Sequence, residues 1–197
     1  MSGLTRMGLG AFLLTQIACV GSSPPARFYL LEPLAALDRA PAVSATAKPT
    51  LALIPVKIPQ YLQRAQLVTA SGKNTYLLDE WHRWAESLDD NITRVVLRDL
   101  SLLMPADVVL NNSQYARQAK LALAISILEF HIDPEGRARM TAQWQASRGD
   151  QTLISRQSSF QVSAENADAA SKVQALNQCL FRLNREMAEA LTPLGAN

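Results

Sequence analysis

Few residues in this chain have chemistry available to them. Two histidines, His82 and His131, and two cysteines, Cys19 and Cys179, supply all the imidazoles and thiols among 197 residues. A zinc site gathers several such ligands at short spacing. These four stand singly, so each histidine reads as a solvated or hydrogen-bonded side chain and no metal is expected. Ser71-Gly72-Lys73-Asn74 echoes the end of a phosphate-binding loop. Leu67, however, occupies the place of its first glycine, and Asn74 that of the magnesium-binding hydroxyl. The tetrapeptide reads as a hairpin turn. No Gly-x-Ser-x-Gly elbow is present in the sequence. Glu80, Glu86, Asp89 and Asp90 could pair for acid–base work, but carboxylates at a helix start are explained by the positive end of the helix. Arg148-Gly149-Asp150 reads as a turn. With no catalytic constellation visible, no enzyme activity and no cofactor are expected.

Cys19 has a telling context. Arg6 precedes Met7 to Ile17, an apolar run of about 11 residues, inside the roughly 7–15 of a signal-peptide core and short of the about 20 that span a bilayer. The run ends in Ile17-Ala18-Cys19, followed by Val20, Gly21, Ser22, Ser23, Pro24 and Pro25. This resembles a bacterial lipobox, in which small Ala18 fits the cleavage pocket and the Cys19 thiol takes up diacylglycerol. Gln16 stands where that pattern prefers leucine. The alternative is a plain secretory signal with a chance cysteine. Gly8 and Gly10 fall inside the apolar run and form no dinucleotide fingerprint. If Cys19 is acylated, Cys179 has no partner for an intramolecular disulfide. It falls on the edge of a helical apolar stripe and reads as a buried small hydrophobe. Residues 1–18 are therefore expected to be a signal peptide, 19–26 a lipidated terminus with a short linker, and 27–197 one folded domain. A linker of about seven residues reaches roughly 25 Å at most, which keeps the domain close to its membrane.

The elements that would position anything else follow from periodicity and turn chemistry. A hydrophobic fraction of 48% supports a real core, and a formal charge of +2 without a basic run argues against nucleic-acid binding. Arg27 to Leu31 and Leu51 to Val56 read as strands, with Pro55 and Pro59 bracketing a bend. Leu67 to Thr69 and Thr75 to Leu78 flank the hairpin turn, and Trp81 to Ala85 is left unassigned. Leu88, Ile92, Val96, Leu100 and Leu103 form a helical stripe that Pro105 stops. Lys120 to Phe130 alternates strictly. Asp133-Pro134-Glu135-Gly136 is a type I turn, and Arg137 to Ala146 returns from it. After a turn at Ser147 to Asp150, Thr152 to Val162 makes a third, more polar strand. Val173, Leu176, Leu180, Leu183, Met187 and Leu191 predict a closing helix ended by Pro193. The expected fold is α/β, with two main helices packed on a mixed, largely antiparallel sheet.

Three motifs carry a family resemblance: Tyr29-Leu30-Leu31-Glu32-Pro33, the stretch from Ile54 through Tyr61 to Thr69, and Trp84-Ala85-Glu86-Ser87-Leu88 with the helix that follows. In this order and spacing the mature chain resembles the ABC-type transport auxiliary lipoproteins. Ala65 and Ser87 depart from residues common there, where proline is frequent. The resemblance implies a lipoprotein on the periplasmic face of the outer membrane. It would work as an accessory or docking subunit beside an MCE-domain protein that carries lipid between membranes, sometimes with an ABC ATPase. It also implies a layered fold of the anticodon-binding or TolB N-terminal type, and possible homo-oligomeric rings. A lipoprotein that itself carries a lipid, or a periplasmic hydrolase, are the competing readings. Tyr61 and Leu62, on the bend that Pro55 and Pro59 stiffen, are the expected partner-contact residues, since an exposed Tyr-Leu pair offers apolar area at low entropy cost; the alternative is that Leu62 folds back to plug the core while Tyr61 bonds a backbone carbonyl.

Overall fold

The computed structural model describes residues 25–33 and 48–195; Cys19, the expected signal peptide and most of the linker lie outside them. Along the chain run β1 (Arg27–Tyr29), β2 (Thr50–Leu53), β3 (Gln66–Gly72), β4 (Thr75–Trp84), α1 (Leu88–Leu103) and β5 (Asp107–Leu110). There follow β6 (Leu121–Ile132), β7 (Arg137–Arg148), β8 (Gln151–Ser163) and α2 (Ala169–Gly195), with 3₁₀ turns at Gln60–Leu62 and Gln114–Gln118. The strands make one eight-stranded mixed sheet, so the expected α/β class holds.

The sheet forks along β6. One edge of β6 pairs with β7 along nearly its whole length, and β8 continues beyond β7. The other edge is shared: Leu121 to Leu123 pair with β2, a bridge joins Ser126 to Lys57, and Ile132 meets Thr69 of β3. Beyond β2 lies β5, and beyond β3 lie β4 and then β1. The long ladders, β3–β4, β6–β7 and β7–β8, are antiparallel. This fork opens the two ends of the sheet to different surroundings, and the features below all lie at the β3–β4 end.

Alternation decides which face of the sheet is covered. Leu121, Leu123, Ile125 and Ile127 of β6, with Ala138, Met140, Ala142 and Trp144 of β7, are buried in the common core. Ala122, Ala124 and Ser126 stay half-exposed, and Gln143 and Gln145 are exposed. From the helices come Ile92, Val96 and Leu100 of α1 and Leu176, Leu180, Leu183 and Met187 of α2, all buried, so the period-3.6 stripes meet the period-2 face. Polar side chains pin the register between layers. Asn91 of α1 accepts the Leu31 N–H at 2.7 Å and donates to the Leu31 carbonyl at 3.1 Å, fixing the segment after β1. The Thr93 hydroxyl accepts the Val56 N–H, a donor the sheet ladder leaves over. Between the helices, buried Asn184 donates to Asp99 at 2.8 Å.

Two stretches left unassigned from sequence are strands, and one expectation changes. Trp81 to Trp84 completes β4. Alternation fails there because β4 holds a bulge: Gln66 and Leu67 are consecutive on β3 but pair with Arg83 and Asp79. β5 lies between Pro105 and Lys120, where the sequence suggested no element. Pro193 does not end α2, which runs on to Gly195. The proline removes a single helix bond in the last turn, while Arg148 donates to the Leu194 carbonyl at 3.0 Å and so satisfies one of the terminal acceptors.

Candidate functional site

Leu62 ends the Gln60–Leu62 3₁₀ turn, held by its N–H donating to the Pro59 carbonyl at 3.0 Å. Pro59 is extended, at φ −68° and ψ 154°, which starts the turn at low conformational cost. The Leu62 side chain points inward and is 2% exposed. Tyr61 is half-buried against the core. Its ring lies 5.4 Å from that of Tyr76 on β4, and Tyr76 in turn meets His131 edge-on at 5.4 Å. Burial pushes the Tyr61 phenol up to about 12; the Phe130 backbone eases this rise without making a well-formed hydrogen bond. His131 is buried, and burial lowers its pKa against the opposing charge of Glu129, with the Arg139 charge acting in the same direction as burial. Its Nδ1 lacks a hydrogen-bond partner. Among the described residues no group of histidine, cysteine and carboxylate side chains could hold a metal ion.

The β3–β4 hairpin beside Tyr61 is unusual for a strand pair in water. Tyr76, Leu77, Leu78 and Trp81 are 45%, 60%, 39% and 42% exposed. β1 pairs only with His82, Arg83 and Trp84, which leaves the outer edge of β4 from Thr75 to Trp81 without a strand partner among the described residues. Apolar groups on an open edge invite association.

A cavity of about 310 Å³ opens where β1, β3 and β4 face the start of α2. Its floor is apolar, built from Leu62, Leu67, Trp84, Phe130, Val173 and Leu176. Its mouth carries Arg27, Asp79, His82, Asp168 and Lys172. Asp79 is responsible for the β4 bulge: one oxygen accepts the Trp81 and His82 N–H groups at 3.0 and 3.1 Å, and the other meets His82 Nδ1 at 2.7 Å. Burial opposes its ionisation, but the His82 ring and these N–H groups outweigh that, and its carboxyl sits below the ordinary range. Asp168 accepts the Ser171 N–H and hydroxyl, each at 2.9 Å, and these bonds likewise lower its pKa. Arg27 and Lys172 make no ion pair among the described residues.

The sequence left two readings of Tyr61 and Leu62, a shared contact surface or a Leu62 folded back into the core; the fold sends Leu62 to the cavity floor and Tyr61 to the aromatic group at the hairpin. The cavity itself had no sequence signal, because its mouth joins residues from opposite ends of the chain.

These features define a two-layer α/β domain whose distinctive surfaces are an amphipathic cavity and an apolar hairpin. The chain belongs to the ABC-type transport auxiliary lipoprotein component family, whose family model matches residues 29–188. No curated protein matches it by sequence. Among solved structures, an uncharacterized protein superposes with a TM-score of 0.72 at 17% identity, covering 85% of this chain and 99% of its own. A protein from Xanthomonas campestris, assigned to a family of unknown function, gives 0.64 at 15% identity, covering 80% and 91%. Both likenesses are of fold. The PelC dodecamer from Paraburkholderia phytofirmans gives 0.44 at 9% identity, covering 71% and 93%, too distant to bear on assembly.

Proposed function

We propose that the chain is a non-enzymatic lipoprotein of the outer membrane, cut after Ala18, anchored through diacylglycerol on Cys19, and folded over residues 27–197 on the periplasmic side. There it acts as an accessory docking subunit for an MCE-domain protein that moves lipid between membranes, with copies of itself arranged in a ring. Family membership across residues 29–188 is the observation that carries this reading. The apolar hairpin supports it, since a domain held by its own lipid close to a membrane still exposes Tyr76, Leu77, Leu78 and Trp81. The proposed contact centres on Tyr61 with these neighbours. Leu62 contributes from beneath by fixing the turn that presents Tyr61.

The test is a pull-down of the MCE-domain protein with two variants. Leu77→Asp changes a side chain that is 60% exposed, so melting is expected to stay put while capture is lost. Tyr61→Ala removes an aromatic of the kind that contributes about 2 kcal/mol or more at a binding hot spot. Undiminished capture by both variants, with or without a lower melting temperature, rules the hairpin out as the docking surface.

A further inference from the structure

We infer that the cavity between β1, β3, β4 and the start of α2 binds the tail of a single-chain amphiphile whose head is an anionic oxygen group, a carboxylate or a phosphate. The cavity is an amphipathic cleft of about 310 Å³, at the small end of the roughly 300–1,000 Å³ typical of ligand sites. Its floor of Leu62, Leu67, Trp84, Phe130, Val173 and Leu176 offers water no hydrogen-bond partner except the Trp84 indole, and an apolar chain matches that floor.

The mouth selects the head. Four formal charges and His82 surround it, but the two signs are differently engaged. Asp79 spends its oxygens on the Trp81 and His82 N–H groups and the His82 ring, and Asp168 spends its own on Ser171. The donors of Arg27 and Lys172 have no ion-pair partner among the described residues. A ligand entering here meets available cationic donors and occupied acceptors, which favours an anionic head able to take charge-assisted hydrogen bonds. The cavity lining takes Asp79, His82 and Trp84 from β4 but none of Tyr76, Leu77, Leu78 and Trp81, so this inference stands whether or not the hairpin docks a transport partner.

The experiment uses the full-length chain carrying Cys19→Ala, so that no acyl chain of its own competes. Three probes sharing a twelve-carbon tail (laurate, lauroyl lysophosphatidylglycerol and dodecyl maltoside) are titrated below their micelle concentrations, with native mass spectrometry for stoichiometry and calorimetry for affinity. One-to-one binding of laurate or the lysophospholipid, at least about tenfold tighter than the uncharged maltoside, is expected; the tighter of the two identifies the head as fatty acid or phospholipid. Arg27→Glu with Lys172→Glu should abolish that preference without changing the melting temperature. Ala169→Trp, at the half-exposed first turn of α2, should obstruct the mouth and weaken all three probes by about tenfold or more. No saturable one-to-one binding, or binding indifferent to both the charge reversal and Ala169→Trp, overturns the assignment.

Discussion

Acid should loosen the β6–β7 hairpin through one carboxylate, Asp133, whose side chain is 3% exposed. It opens the Asp133-Pro134-Glu135-Gly136 turn, where Gly136 takes φ +79° and donates its N–H to the Asp133 carbonyl at 3.0 Å. One Asp133 oxygen accepts the Glu135 and Arg137 N–H groups at 3.1 and 2.9 Å; the other accepts Nε of Arg137 at 2.8 Å and of Arg139 at 2.9 Å. Burial alone would raise its pKa. The Arg137 N–H and the two guanidinium groups outweigh it and hold the carboxyl down at about 2, from an ordinary 3.8. Such a lowering corresponds to roughly 2 kcal/mol of folding stability. The two arginine side chains are 35% and 45% exposed, so solvent screens part of this and about 1–2 kcal/mol is expected. Because the folded pKa is the lower one, the contribution is complete above about pH 4 and disappears as pH falls through about 2. Urea unfolding of the parent and of Asp133→Asn, repeated between about pH 6 and about pH 2, measures it. The parent should be the more stable at pH 6, and the gap should shrink by about 1–2 kcal/mol at the acid end. A gap that stays constant across the range would falsify the argument.

The other expectations are simpler to state. Cys19→Ala should release the protein from membranes, since stable anchoring needs more than one acyl chain and the lipidated cysteine supplies them; continued sedimentation with membranes after a high-salt wash would put the anchor elsewhere. Leu180→Ala empties a fully buried position on α2 and should cost about 2–5 kcal/mol, read as a lower urea midpoint; an unchanged midpoint would mean the α2 stripe is not core. The Cys179 thiol is fully buried, and burial pushes its pKa up to about 11. Alkylation by iodoacetamide at pH 8 should therefore track global unfolding, and fast labelling of the native Cys19→Ala protein would contradict the burial.

Much of the fold is legible because two rules apply without interruption. The alternation from Leu121 to Ile127 can bury only one face, and the Asp133 and Gly149 turns fix how β7 and β8 return. The stripes on α1 and α2 are equally direct. What escaped is where a side chain, not the pattern, sets the backbone. Asp79 folds the β4 bulge by capping two N–H groups, which scrambles alternation just where Trp81 to Trp84 needed it. β5 offers only Val108, Val109 and Leu110 between Pro105 and Asn111, too short to be told from a loop until β2 is known to lie beside it. The two prolines around Lys57 did signal a stiff bend. They could not tell whether Leu62 would share a surface with Tyr61 or fold back into the core, because that depends on the cavity floor supplied by Phe130, Val173 and Leu176.

Exposed apolar side chains are concentrated on the β3–β4 hairpin, with Leu102, Tyr115 and Leu128 exposed elsewhere. The open face of β6 and β7 presents Ala122, Ala124, Ser126, Gln143 and Gln145, small or polar groups with little to offer a hydrophobic partner. At the β3–β4 end the same chain exposes Tyr76, Leu77, Leu78 and Trp81 along an unpaired edge and keeps an amphipathic cavity beside them. A protein selected only to fold would gain by exchanging these positions, since burying Leu77 or replacing it with a polar residue removes an aggregation hazard without touching the core. Their presence together is therefore evidence of use, and Leu77→Asp separates use from accident. If the hairpin serves a partner, this substitution removes capture; if it is merely tolerated, the substitution makes the protein more soluble and changes nothing else.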